Sequence, residues 1–281
     1  MRVGLVLAGG AVKGAYQVGA LRALEKFFSP EEISVVCSAS IGVINSYSFV
    51  TNRLPYAEAT WRNINAVSKS VLVTQLLNSD YLLNVFSELS EKKIETEHFI
   101  VPLLNLRKRT LEYHNLSEVT QRDTMKRILR ASVAIPPVCK AVKVGESHYL
   151  DGAVVEAIPI KEMEKYNLDY IICIYFDKAT PVFSKTGISN RVVKICFDDE
   201  TRLANGTCLT KKNTHKMITK GELQTKRILN FVFRNGKDNL PAIMEAIEHL
   251  DHLQSGGPKK MITTSRGLGV LNSITKTFIK H

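Results

Sequence analysis

The sequence predicts an α/β protein, and three observations carry that prediction. Val3–Leu7 is a short run, apolar apart from Gly4, that ends at Gly9-Gly10 and gives way to helical periodicity. The same order returns at once, with Ile33–Cys37, the small-residue turn Ser38–Gly42, and a helical run through Val43, Ile44, Tyr47 and Val50. Further β-rich runs follow in the second half of the chain. Buried parallel strands read as continuous apolar runs, and repeated strand–turn–helix units build a parallel sheet covered by helices. A length of 281 residues suits one such domain with insertions.

The elements follow in order. From Gly14, the residues Tyr16, Val18, Leu21, Leu24 and Phe28 fall at near-helical spacing, and Pro30 closes the segment. Residues 54–97 read as mainly helical, with a dense apolar stretch from Val71 to Leu89 and a charged one after it. Phe99–Leu106 and Thr110–His114 read as a strand pair around the basic turn Arg107-Lys108-Arg109. Thr124–Val133 reads as a helix that ends against Pro136-Pro137, and Cys139–Val144 as a strand that turns at Gly145 into Tyr149-Leu150-Asp151-Gly152. Leu168–Tyr175 and Arg191–Phe197 are two more β-rich runs, and Glu222–Phe233 and Leu240–His252 read as helices. The boundaries expected are a first domain over 1–204 and a basic, mainly helical region over 205–281 that packs on or flanks it.

Composition narrows the classes. Hydrophobic residues at 44% and charged residues at 23% exclude global disorder and fibrous repeats. No apolar run reaches the roughly eighteen residues of a membrane span, and Val3–Ala8 is too short for the core of a signal peptide. Five cysteines without a CxxC pair read as free thiols in a reducing compartment. The seven histidines form no HExxH pattern, so no metal is expected. The skewed quantity is the net charge of +11, which favours nucleic acid or a phospholipid surface as partner, or simply solubilises the chain. Thirteen Lys/Arg against five Asp/Glu from Asn205 onward place most of that excess in the C-terminal region.

Three segments carry candidate chemistry. Gly9-Gly10-Ala11-Val12-Lys13-Gly14, between a strand and a helix, aims backbone N–H groups at one point, where a phosphate or a developing oxyanion can sit. It lacks the Lys-Ser/Thr of a Walker loop and the spacing of a dinucleotide fingerprint. Ser38-Ala39-Ser40-Ile41-Gly42 has the small–x–Ser–x–Gly form of a nucleophile elbow. Asp151-Gly152-Ala153 puts a carboxylate at a strand end beside a glycine. Each also has an ordinary reading: a packing turn, a helix N-cap serine, an Asp-Gly turn. Jointly they supply an oxyanion site, a nucleophile and a base.

Their order resembles the patatin-like phospholipase family, whose pattern is a GGGx(R/K)G loop, then GxSxG, then DG(G/A) a hundred residues or more later. The flanks Ala15–Leu21, Arg130–Pro136 and Ala157–Ile160 are also similar, and the resemblance covers residues 1 to about 175. It implies a three-layer α/β/α fold with a central, mostly parallel sheet. It also implies a Ser40–Asp151 dyad, an oxyanion hole at Gly9, Gly10 and Ala11, motif support from Gly14, Gly42 and Gly152, and no metal or cofactor. Ala11 stands where the family has its third glycine and Ser38 where the elbow has its first; both are small. Lys13 reads either as a head-group ligand or as a surface residue.

The implied activity is hydrolysis of fatty-acyl esters of phospholipids or glycerolipids through an acyl-enzyme. An acyltransferase on the same scaffold and a catalytically weak lipid-binding regulator are the alternatives. A cytoplasmic, peripherally membrane-associated protein touching anionic lipid is expected, with export by a route that uses no signal peptide as the alternative. Nucleic acid would explain the charge but none of the three motifs, so no nucleic-acid partner is expected. His215, His249 and His252 are candidates for a histidine triad, although helical histidines are more often structural, and Cys37 reads as a buried small hydrophobe. Val71–Leu89 suits either an apolar lid or a helix packed on the sheet. The stripe Leu268, Leu271, Ile274 and Phe278 suits core packing or an interfacial helix.

Overall fold

The structure, a computed structural model, describes residues 1–63, 71–72, 88, 93–137, 139–176, 180–198 and 208–255. Its centre is a mixed, mostly parallel sheet flanked by helices. The strands are β1 (Val3–Leu7), β2 (Ile33–Ser38), β4 (His98–Asn105), β5 (Thr110–Asn115), β6 (Val142–Val144), β7 (Ser147–Asp151), β8 (Tyr170–Phe176) and β9 (Val192–Phe197). They lie in the order β6-β7-β4-β2-β1-β8-β9, with β5 paired to β4. The pairs β4–β2, β2–β1, β1–β8 and β8–β9 are parallel. Every residue of β1 and β8 is buried, as continuous apolar runs at the middle of a parallel sheet require.

The helices are α1 (Gly14–Leu24), α2 (Ile41–Val50), α3 (Leu54–Asn63), α4 (Arg122–Ala131), the short α5 (Thr180–Phe183), α6 (Lys211–Val232) and α7 (Leu240–Ser255). Val71–Leu72 (β3) departs from the helical expectation, because it pairs antiparallel with Cys208–Leu209 (β10). Apart from Leu72 and Glu88, the rest of the proposed lid after Val71 lies outside the described residues, as do the 268–278 stripe and everything from Gly256. Among the described residues, no helix is long and apolar enough to cross a membrane.

Two features of this frame position the site. β1 is followed by β2 on one side and flanked by β8 on the other, so the chain changes direction across it, and α/β folds hold their ligands outside such a point at the carboxyl ends of the strands. The second feature is an overhang. β2 pairs with β4 only as far as Cys37↔Ile100, and β4 continues to Asn105. β7 pairs antiparallel with that overhang and brings Asp151 opposite Leu103, level with the turn after β2.

The long helix α6 is joined tightly to α1. A Cβ at Gly19 would lie 1.9 Å from the Ile218 carbonyl oxygen, and one at Gly221 would lie 2.1 Å from that of Tyr16. Backbone therefore touches backbone at this crossing, and only glycine fits. Ion pairs from Glu222 to Lys26 (2.8 Å) and Arg22 (3.4 Å) rim the seam. Half-exposed pairs of this kind contribute less than about 1 kcal/mol each, so packing rather than charge holds it.

Candidate active site

The elbow is strained. Ser40 sits between β2 and α2 with φ 53° and ψ −132°, a left-handed conformation that is costly for any residue with a side chain. Two facts separate it from an ordinary cap. A capping serine adopts extended φ/ψ and accepts an N–H with its Oγ; Ser40 does neither. The turn is anchored by Ala39 N–H donating to the Leu7 carbonyl (3.0 Å) and Val43 N–H to the Ser40 carbonyl (2.9 Å). Ser38, in the position of the missing glycine, is fully buried, and its hydroxyl is hydrogen-bonded to Ser46 Oγ at 2.9 Å. The extra side chain is thus satisfied inside α2 and leaves the elbow in place.

Asp151 is completely buried. Its Oδ1 accepts from Ala153 N–H at 2.9 Å, which is the ordinary Asp-Gly turn. Among the described residues its Oδ2, equally buried, makes no well-formed hydrogen bond, although the Ser40 hydroxyl is near enough to pull on the carboxyl. Burial pushes the carboxyl up to about 7, against smaller opposing pulls from the Ser40 hydroxyl and the Ala153 amide. A carboxylate left half-satisfied in a dry site is expensive, and such groups mark places where a proton moves.

The glycine loop closes over both. A Cβ at Gly9 would lie 2.9 Å from Ala153 Cβ and 3.1 Å from Ser40 Cβ, so the loop, the elbow and the turn after Asp151 converge on Gly9. The three amides proposed for an oxyanion are not equivalent. Gly9 N–H is committed to the Ala157 carbonyl at 2.8 Å. Among the described residues, the Gly10 and Ala11 amides have no backbone partner. Ala11 is itself left-handed, with φ 47°, at the position where the family pattern has glycine.

Behind the loop, a cavity of about 420 Å³ is lined by Gly9, Gly10, Lys13, Val155, Ile158 and Phe176. The Lys13 ammonium stands 5.9 Å from the centre of the Phe176 ring, between the two roles expected for it. The glycines that support the motif are explained by crowding: Gly42 lies against the Leu7 carbonyl, Gly152 against that of Pro102, and Gly14 against Trp61 and Ile41.

The other candidates lie elsewhere. His215 is on the exposed face of α6, His249 packs on the Phe231 ring, and His252 is exposed near Glu248. Cys37 is fully buried, and burial pushes its thiol well up, which makes it inert.

One group of positioning residues escaped the sequence reading. Gln17 Nε2 donates to the Ala8 carbonyl at 2.7 Å, immediately before the glycine loop. Asn45 Nδ2 donates to Gln17 Oε1 (2.9 Å) and to the Gly14 carbonyl (3.0 Å), and Trp61 Nε1 donates to Asn45 Oδ1 (2.9 Å). Both amides are fully buried, so this network ties α1, α2 and α3 to both ends of the loop. Polar residues inside apolar helical runs were the available signal.

Lysophospholipase NTE1 of Debaryomyces hansenii is 24% identical over 186 residues, covering 61% of this chain. Lysophospholipase nte1 of Aspergillus terreus is 27% identical over 190 residues, again 61% of this chain. The match spans only 12% of each of these much longer relatives. The crystal structure of VipD from Legionella pneumophila aligns over 90% of this chain and 75% of that one, with a TM-score of 0.51 at 13% identity, a likeness of fold. The family model described as patatin-like phospholipase matches residues 5–163, more than half of the chain and all three motifs, and the chain belongs to that family.

Proposed function

We propose that this chain is a lipid acyl hydrolase that cleaves fatty-acyl esters of phospholipids or lysophospholipids with Ser40 as nucleophile and Asp151 as the proton acceptor and donor. The observation that carries this reading is the buried Asp151 carboxyl, whose Oδ2 makes no well-formed hydrogen bond among the described residues, within reach of the hydroxyl of the strained Ser40. The names of the fungal relatives favour a lysophospholipid among these substrates.

Ser40 Oγ attacks the ester carbonyl as its proton passes to Asp151. The carbonyl π electrons move to oxygen, and the resulting oxyanion meets the Gly10 and Ala11 amides; Gly9, its amide already used, shapes the loop instead. Collapse of the tetrahedral species expels the lipid alcohol, which takes the proton back from Asp151. Water then repeats the sequence on the acyl-enzyme and releases the fatty acid. The apolar cavity behind the loop offers room for part of the lipid, with Lys13 at its wall for a head-group phosphate. The enzyme works peripherally on a membrane surface.

The test is fatty-acid release from phospholipid and lysophospholipid vesicles by the full chain, its Ser40→Ala and its Asp151→Asn variants. Release that survives Ser40→Ala overturns the dyad. Covalent labelling of wild type but not Ser40→Ala by a fluorophosphonate supports it.

A further inference from the structure

The residues of α6 divide into two faces. Met217, Ile218, Gly221, Thr225, Leu229 and Val232 are buried. On the other face Lys212, His215, Lys216, Thr219, Leu223 and Arg227 are exposed at intervals of three and four residues. That row extends about 22 Å along the helix. The helix carries six Lys/Arg and a single acid, Glu222, which is drawn to α1 by Lys26 and Arg22.

Two depressions follow the exposed face and meet at His215. One, of about 430 Å³, is lined by Arg62, Lys211, Lys212 and His215. The other, of about 570 Å³, runs past Lys216, Lys220, Leu223 and Arg227. Among the described residues, no carboxylate and no Phe, Tyr or Trp ring lines either depression, so a base has no such ring to stack on. Arg62 Nη1 donates to His215 Nδ1 at 2.7 Å, since a guanidinium has no acceptor. Glu58 takes up a further nitrogen of Arg62 at 2.6 Å.

This face lies beside the Ser40 end of the sheet. Gly14 closes the glycine loop against Trp61, and the next residue, Arg62, is the one bonded to His215. A straight cationic row with an exposed leucine in it suits a flat anionic surface containing hydrocarbon better than a folded acidic partner.

We propose that the outer face of α6, extended by Arg62, docks on an anionic phospholipid bilayer and sets the Ser40 end of the sheet against it. Its purpose rests on the lipid-hydrolase reading, but docking is measured without turnover.

The experiment is co-sedimentation of the 281-residue chain carrying Ser40→Ala with vesicles of phosphatidylcholine, and with equimolar phosphatidylcholine and phosphatidylglycerol. Each basic residue near such a surface contributes to partitioning, so Lys212→Gln/Lys216→Gln/Arg227→Gln should weaken binding to the anionic vesicles by about tenfold to hundredfold. The control Arg122→Gln/Arg127→Gln/Lys143→Gln removes equal charge around α4 and β6, at the opposite edge of the sheet from β9. It should leave binding intact, as should Lys212→Arg/Lys216→Arg. Equal thermal unfolding of the two neutralised variants shows that folding is not the cause. Undiminished binding by the α6 variant, equal loss in the control, or no anionic preference in the parent overturns the proposal. A protein that docks in this way yet releases no fatty acid in the wild-type assay keeps the docking surface and loses the hydrolase reading.

Discussion

Glycine lets parts of this molecule touch in two places, with opposite results. At the α1–α6 crossing, Gly19 and Gly221 bring two helix backbones together in a close-packed seam of regular helical backbone, although the Thr214 and Thr225 hydroxyls on the same buried face of α6 find no partner among the described residues. At the Ser40 end of the sheet, Gly9 brings the loop, Ser40 and the turn after Asp151 together in a region where the backbone itself is strained. There Ala11 and Ser40 are left-handed, and a buried carboxylate oxygen makes no well-formed hydrogen bond among the described residues. The seam contributes stability and the site consumes it, as strain at a functional constellation persists only where the surroundings over-determine it. The same residue type therefore serves opposite ends, distinguished by what its missing side chain admits.

The largest expected effect falls at the site. Ser40→Ala and Asp151→Asn should each lower fatty-acid release by about a thousandfold or more, with the fold intact. A Ser40→Ala variant that loses its thermal transition would erase the contrast.

Next comes pH. Asp151, raised to about 7 by burial, must be ionised to accept a proton, so kcat/KM should climb with pH through about 7. The sign for stability is the reverse. Between its ordinary value of 3.8 and about 7, the folded carboxyl holds a proton that the unfolded chain has released. Stability from this group is complete below about pH 4 and falls as pH rises to 7, by on the order of 4 kcal/mol. Denaturant titrations across that range should show the slope in wild type and its loss in Asp151→Asn.

The seam comes third. Gly221→Ala places a methyl 2.1 Å from a backbone oxygen that has nowhere to go. It should cost about 3 kcal/mol and several degrees in thermal unfolding, with any loss of activity following the loss of folded protein. A catalytic defect at full stability would mean that the seam also acts on the site.

The smallest effect is at Ala11. Ala11→Gly removes a left-handed alanine and should raise stability by about 0.5–1 kcal/mol, with hydrolysis retained because the amide remains. Loss of activity there would make the methyl group part of the site.

The front of the molecule was legible because its signals are local. β1, the glycine loop, α1, β2, the elbow and α2 follow one another in sequence, and each is marked by apolar runs and small residues. The β4–β5 pair was equally plain. The α6 helix was half hidden: it begins at Lys211 and not near Glu222, because its buried face carries Thr214, Gly221 and Thr225 where apolar residues would advertise a helix. Thr210 caps it, accepting from Asn213 N–H at 3.2 Å. The commitment of Gly9 N–H to Ala157 could not be read at all, since it joins segments about 150 residues apart. The Gln17–Asn45–Trp61 network was invisible for a similar reason: whether a polar residue in an apolar helix faces water or a partner depends on the other helices.

That network ends in the one tryptophan of the chain. Trp61 reaches the carbonyl just before the glycine loop through only two intervening side chains, and it also packs on Gly14 at the loop's far end. Indole emission depends on the hydrogen bond at its nitrogen and on the dryness around its ring. The molecule therefore contains a single, native optical probe wired to its glycine loop. Ligand entry or acylation that moves the loop registers as a change in intrinsic fluorescence, with no label attached and no competing indole to subtract.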